Sequence, residues 1–320
     1  MSLVQIPQRI RAAIAEMATH RNLSAEAGQF SAAYRSQPGQ AVVLSETGKI
    51  AYLAARLPAT YAAVSRACER LAESGFSDFE SLLDAGCGPG TASLVAAELW
   101  PSLSAVTRSD LDSAWRPVAS ALGDASSYSA LSGARWLTAA LESRDYPVHD
   151  AVIAAYALNE VPTAQHSAAI RSLWRAAGRA LILVEPGTPQ GFLNIHGART
   201  QLLAEGAFIA APCTHAAECP MSAQDWCHSA VRLQRDALHR AAKGASLPFE
   251  DEKFSYLAVT REPAGTIPAG RIVKHPKTQT GHVHLDVCER NGLRRTTVSK
   301  RDGLLYKSAR KADWGDGWPG

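Results

Sequence analysis

Apolar residues in the first 75 positions recur at helical spacing. Ile10, Ala13, Ile14 and Met17 fall on one face, and Tyr52, Leu53, Leu57, Tyr61, Val64 and Leu71 give a second such pattern, which predicts a helical region over residues 1–75. From Ser81 the period changes. Short apolar runs at Ser81–Asp84, Leu103–Thr107, Ala151–Ala155 and Ala180–Glu185 read as strands, with helical segments between them. That alternation predicts an α/β domain over 76–210 built on a parallel, doubly wound sheet. Beyond it, Asp225 is placed to cap a helix running to about Lys243 and closed by Gly244, within a segment 211–252. From Lys253 onward the pattern breaks into short, turn-punctuated β segments such as Phe254–Thr260, a C-terminal β module over 253–320.

Composition narrows the class. With 320 residues, 46% of them hydrophobic, the chain is long enough for a sizeable core and more than one domain. No apolar run approaches the length that spans a bilayer, and nothing N-terminal reads as a signal peptide, so a cytoplasmic monomer is expected. The net charge of +3 is unevenly spread: from Arg261 onward there are 12 Lys/Arg against 6 Asp/Glu, a net of +6, leaving −3 on the first 260 residues. A basic tail on a mildly acidic body points to a polyanion, with an ordinary solvated surface as the alternative. Lys274, Lys277, Arg294, Arg295, Lys300, Arg301, Lys307, Arg310 and Lys311 have Tyr306 and Trp314 interleaved among them, which suits contact with RNA. Arg232, Arg235 and Arg240 fall on the helix expected after Asp225, as phosphate contacts or as a solvated face, and Glu250–Lys253 read as a charged turn before a strand.

The first chemical signal is Leu82-Leu-Asp-Ala-Gly-Cys-Gly-Pro-Gly-Thr91. An apolar strand ends in Asp84, and Gly86, Gly88 and Gly90 lead into a helix near Thr91. Glycines at such a turn let backbone approach a ligand closely, beside a helix N-terminus that favours negative charge. The spacing is G-x-G-x-G, not the G-x-G-x-x-G of dinucleotide sites, and no Walker lysine follows. Cys87, inside the turn, reads as a packing residue.

The second signal is Cys213, Cys219 and Cys227, crowded between prolines and around Trp226, with Cys288 arriving from the C-terminal region. Thiolates select zinc, copper(I) or iron–sulfur clusters over hard cations. The C-x5-C-x7-C spacing is not the close pairing of zinc ribbons. Buried free thiols are the alternative, and His215 or His228 is placed to replace one thiolate.

These strings resemble known families. Asp84–Gly90 is similar to the first motif of class I S-adenosylmethionine-dependent methyltransferases, which implies a Rossmann-like sheet with Asp84, Gly86, Gly88 and Gly90 against the cofactor. In that fold the second strand ends in an acid that holds the ribose; Thr107 stands where the acid is expected, so Asp110 or Asp112 must substitute. The fourth strand ends Ala155-Tyr-Ala-Leu-Asn-Glu-Val-Pro162, which offers Asn159 and Glu160 as catalytic candidates, with Asn159 also near the cofactor. The Asn-Pro-Pro-Tyr cradle for an exocyclic amine is absent, and no methyl acceptor follows from the motifs.

Leu158–Pro162, Glu185–Phe192, Pro212–Pro220, Asp225–His228, Glu250–Leu257, Gly281–His284 and Trp314–Asp316 then follow in the order seen in one family. The chain resembles a bacterial member of the methyltransferase-like small-ribosomal-subunit proteins best known from mitochondria. The resemblance implies binding of S-adenosylmethionine, a [4Fe–4S] cluster on Cys213, Cys219, Cys227 and Cys288 with zinc as runner-up, and work on the small ribosomal subunit or its RNA. Two functions stay open: methyl transfer to ribosomal RNA or protein, and non-catalytic assembly work using the fold as a scaffold. A zinc-containing methyltransferase of another substrate is a further alternative.

Overall fold

The computed structural model describes residues 4–19, 21, 23–36, 43–221 and 225–319. Four helices lead: α1 (Gln8–Met17), α2 (Leu23–Ser36), α3 (Glu46–Ala55) and α4 (Leu57–Glu73). Ser45 starts α3 by accepting a hydrogen bond from Gly48 N at 2.9 Å, which satisfies one of the free donors of the first turn. The α/β region runs β1 (Ser81–Ala85), α5 (Thr91–Leu99), β2 (Ala105–Asp110), α6 (Arg116–Ser126), α7 (Ser129–Ser132), β3 (Arg135–Thr138), β4 (His149–Ala155), α8 (His166–Ala176), β5 (Ala177–Pro186) and α9 (Pro189–Ala204). Then come β6 (Phe208–Ala211), β7 (Ser229–Gln234), α10 (Ala237–Lys243) and β8 (Phe249–Thr260).

These strands form one sheet in the order β3-β2-β1-β4-β5-β8-β6, with β7 also paired to β8. Strands β3, β2, β1, β4 and β5 are parallel, and β8 runs antiparallel to β5, β6 and β7. Consecutive residues of β4 and β5 enter opposite cores, as a two-residue period requires. Ile153, Ile182 and Val184 pack with Leu57, Val64 and Leu71 of α4 on one face. Val152, Leu181 and Leu183 pack with Leu173, Ile195 and Leu202 of α8 and α9 on the other. The chain leaves β1 toward β2 on one side and β4 lies on the other. Their carboxyl ends therefore open a crevice of the kind in which doubly wound sheets bind ligands.

A second sheet takes β9 (Gly270–Ile272), β10 (Lys277–Gln279), β11 (His282–Glu289), β12 (Gly292–Ser299) and β13 (Gly317–Trp318), with α11 (Leu304–Ala309) beside it. Ile272, Val283, Leu285, Val287, Val298 and Trp318 give it its own small core. Among the described residues, no helix is long and apolar enough to cross a membrane.

Three expectations are corrected. The strand through Phe254–Thr260 does not open the C-terminal module; as β8 it completes the main sheet, and the separate sheet begins at Gly270. Glu250–Lys253 are not a turn but lie inside β8, paired with β7. The helix after the cysteines does not start at Asp225: Ser229–Gln234 form β7, and Asp236 caps the short α10, which Gly244 ends at φ +60°. Alternation in Val231-Arg-Leu-Gln, buried then exposed, reflects strand pairing.

Candidate functional site

A cavity of about 450 Å³ opens at the carboxyl ends of β1, β2 and β4. Gly86 and Gly88 turn the backbone there at φ +66° and +49°, conformations that disfavour a side chain. A Cβ on Gly86 would stand 2.6 Å from the Ala157 Cβ, so the turn and the tip of β4 fit only because that position is bare. Asp84 is buried beneath the turn and accepts from Ser93 N at 2.9 Å and Ser93 Oγ at 2.7 Å, which anchors the start of α5. Burial pushes its carboxyl up to about 6, against the pull of the Ser93 donors and the Arg108 charge.

Thr107 is not at the end of β2. It is buried in mid-strand, with its hydroxyl 2.9 Å from His149 Nε2. The strand continues to Asp110, which lines the cavity and accepts from Gly88 N at 2.7 Å and Asp112 N at 2.9 Å. Each carboxylate oxygen has a second lone pair, so both can take a ligand hydroxyl as well. Asp112 also lines the cavity, but it pairs with the Lys49 ammonium at 3.1 Å, tying α3 to the segment after β2.

At the tip of β4, Glu160 lines the cavity, whereas Asn159 is not among the lining residues. Asn159 Oδ1 is buried without a hydrogen-bond partner among the described residues. The residue that sequence reasoning passes over is Tyr156, a cavity residue held at φ +56°, which costs of order 1–3 kcal/mol in a non-glycine residue. Its hydroxyl donates to Glu252 Oε1 at 2.7 Å, and Arg56 pairs with the same oxygen at 3.2 Å. The turn itself hangs on Glu185 at the end of β5. That buried carboxyl accepts from Leu158 N at 3.1 Å and Asn194 Nδ2 at 2.9 Å, and burial pushes it up to about 8. The backbone strain that singles out Tyr156 is invisible in a string of letters, whereas Glu160 is legible beside it.

Cys213, Cys219, Cys227 and Cys288 line a second cavity, walled in part by β8. Cys213 follows β6, Cys227 precedes β7 and Cys288 belongs to β11, so the two sheets and the loop between them meet there. Ser255 of β8 donates to Cys227 O at 2.9 Å, and Tyr256 and Leu257 form part of the wall. His215 also lines it, with Nε2 at 3.8 Å from Cys288 Sγ and Nδ1 buried without a partner among the described residues. Burial pushes the thiols of Cys213 and Cys227 up and that of Cys288 to about 12. Among the described residues, no group of three or more Cys, His, Asp or Glu side chains is drawn together closely enough to hold a metal ion, so the four thiols share a wall without converging on a point. Their chemistry still suits a soft metal: four thiols, two buried arginines (Arg199 and Arg271) and, among the described residues, no carboxylate in the lining. Cys87 packs in the glycine turn and Cys68 is buried in α4.

On the basic surface, Arg294 and Arg295 already pair with Glu289 at 2.6 Å and Asp286 at 3.0 Å. Lys274 pairs with Asp225, Arg232 with Asp251 and Arg235 with Glu250. Lys307, Arg310 and Lys311 are exposed at and just beyond α11, with no ion pair among the described residues.

The family described as mitochondrial small ribosomal subunit Rsm22 matches residues 46–319. The human ribosome assembly protein METTL17, mitochondrial, is 29% identical over 300 residues, covering 87% of this chain and 64% of its own length. The Schizosaccharomyces pombe Rsm22-cox11 tandem protein 2, mitochondrial, is 30% identical over 198 residues, covering 47% of this chain and 26% of its own. The chain therefore spans less than two thirds of either relative. Among solved structures, magnesium protoporphyrin IX methyltransferase from Synechocystis PCC 6803 with bound SAH aligns at a TM-score of 0.43 and 18% identity, over 80% of this chain and 100% of that one. Precorrin-6y C5,15-methyltransferase from Geobacter metallireducens GS-15 aligns at 0.39 and 15% identity, over 61% of this chain and 85% of that one.

Proposed function

Because the chain belongs to the mitochondrial small ribosomal subunit Rsm22 family, we propose that it is an S-adenosylmethionine-binding factor that acts on the small ribosomal subunit or its RNA, in the cytoplasm of a bacterial cell. The observation that carries the cofactor reading is the convergence of Asp84, Gly86, Gly88 and Asp110 on one cavity of about 450 Å³. When bound, S-adenosylmethionine supplies an electrophilic methyl group. Asp110 would receive ribose hydroxyls, and the bare Gly86–Gly88 backbone would accommodate the amino-acid end. Gly90 serves the turn from beneath, at φ +80° against the Arg108 side chain. Tyr156 and Glu160 would face the methyl acceptor, while Asn159 supports the turn through its backbone bond to Glu185.

The four cysteines of the second cavity are proposed to hold a [4Fe–4S] cluster, with zinc as runner-up, because four thiols and none of the described carboxylates line it. A metal there would join β11 to the loop between β6 and β7, and so orient the basic sheet relative to the cofactor cavity. Non-catalytic assembly work is the second reading. It is favoured by Asn159, which stands outside the cavity lining, and by the missing amine cradle. Calorimetry with S-adenosylmethionine and its demethylated product tests the binding, and no heat at millimolar ligand would overturn it. Transfer of labelled methyl into purified immature small subunits, compared with a Gly86→Arg variant, separates the two readings.

A further inference from the structure

Arg199 of α9 and Arg271 of β9 reach the cysteine cavity from different elements and are only 6% and 5% exposed. Their backbone partners are neutral carbonyls. Arg199 Nη2 donates to His215 O at 2.9 Å and Ala217 O at 2.7 Å. Arg271 donates from Nε to Pro212 O at 2.9 Å and from Nη1 to Gly315 O at 3.1 Å. Of the other arginines drawn into this fold, Arg70 pairs with Glu73 and Asp316 and Arg56 with Glu252, while Arg108 donates to Ala119 O within the field of the Asp84 carboxylate. Among the described residues no carboxylate lines the cysteine cavity, and Arg199 Nε is buried without a partner. An uncompensated buried charge is strongly destabilising, so two guanidiniums on one cavity call for an anion inside it.

We propose that Arg199 and Arg271 are the built-in counter-charges of a thiolate-bound metal centre, an inference that rests on the metal reading of this cavity. Four thiolates around a core of about +2 leave a net charge of about −2, which two arginines offset. Through their carbonyl bonds the two residues gather the backbone at 212, 215, 217 and 315, so they are positioning residues as well.

The full chain, purified without oxygen, tests this with Arg199→Gln, Arg199→Lys, Arg271→Gln and Arg271→Lys. Both replacements break the carbonyl forks, but only glutamine removes the charge. Iron and zinc per chain are counted, and their release into excess EDTA is timed. The glutamine variants should release metal about tenfold faster or more, while the lysine variants stay near the wild-type rate. If the metal is an iron–sulfur cluster, dithionite titration should also show a lower midpoint potential in the glutamine variants alone, because the added electron loses a nearby positive charge. Equal release from glutamine and lysine variants would overturn the charge assignment while leaving the metal reading standing. A wild-type chain with neither iron nor zinc would remove the metal reading, and this inference with it.

Discussion

Tyr156 donates its hydroxyl to Glu252 across 2.7 Å, joining the strained tip of β4 to the first half of β8. Three residues further along β8, Ser255 holds Cys227 O on the cysteine side. One strand thus holds, by hydrogen bonds, a lining residue of each cavity. Tyr156→Phe should cost about 1 kcal/mol in urea unfolding, the worth of one hydrogen bond. Glu252→Ala should cost more, about 2–3 kcal/mol, because Arg56 is left without its carboxylate. Equal costs would show that the ion pair adds nothing.

Gly86→Ala should weaken S-adenosylmethionine binding about tenfold or more, since the new Cβ meets Ala157 at 2.6 Å and φ is +66°. Gly206→Ala is the control. Its φ is +83° with nothing within 4 Å, so it should lower stability by about 1 kcal/mol and leave affinity unchanged.

Glu185 predicts a pH dependence. Below about pH 4.5 the carboxyl is protonated in the folded and unfolded chain alike and costs nothing. Between there and about pH 8 the unfolded carboxyl has ionised while the folded one keeps its proton. Stability should therefore fall as pH rises through this window, by at most about 1.4 kcal/mol per unit from this group. Urea unfolding at several pH values should show the fall in the wild type and lose this part of it in Glu185→Gln. Parallel curves would remove the assignment.

The motifs around β1 are legible because glycine spacing and strand end are both local. The end of β2 is not: Thr107-Arg-Ser-Asp is polar in sequence, yet Thr107, Arg108 and Ser109 are buried, Arg108 donating to Ala119 O at 2.8 Å. The apolar run therefore stops before the strand does. Glu252 is unreadable for a similar reason, since its partners Arg56 and Tyr156 lie 196 and 96 residues away. Arg199 and Arg271 belong to no local motif, and only the cavity brings them to the cysteines.

RNA binding should depend on Lys307, Arg310 and Lys311 more than on Arg294 and Arg295, whose charges are already met by Glu289 and Asp286. Changing the three to alanine should lower the salt slope by up to about 2–3, and changing the paired arginines by less. Filter binding of small-subunit RNA at several salt concentrations checks it, and the reverse ranking would place the contact on β12.

Cys288→Ser should lose the metal and loosen the second sheet, whereas Cys68→Ser, inside α4, should keep the metal. Iron and zinc analysis of anaerobic preparations, with proteolysis of the C-terminal region, gives both readouts. Unchanged metal in Cys288→Ser would exclude that ligand.

The placement of β8 also sets an order of events during synthesis. The five parallel strands can pair once Pro186 has left the ribosome, but β6 pairs with β8, which is complete only at Thr260. Cys213, Cys219 and Cys227 lie on the stretch between, so they emerge before the strand that will hold them in place. Cys288 comes later still. A nascent chain therefore exposes three thiols for the time it takes to add several dozen residues, and any metal delivered in that interval would meet an open loop instead of a finished cavity.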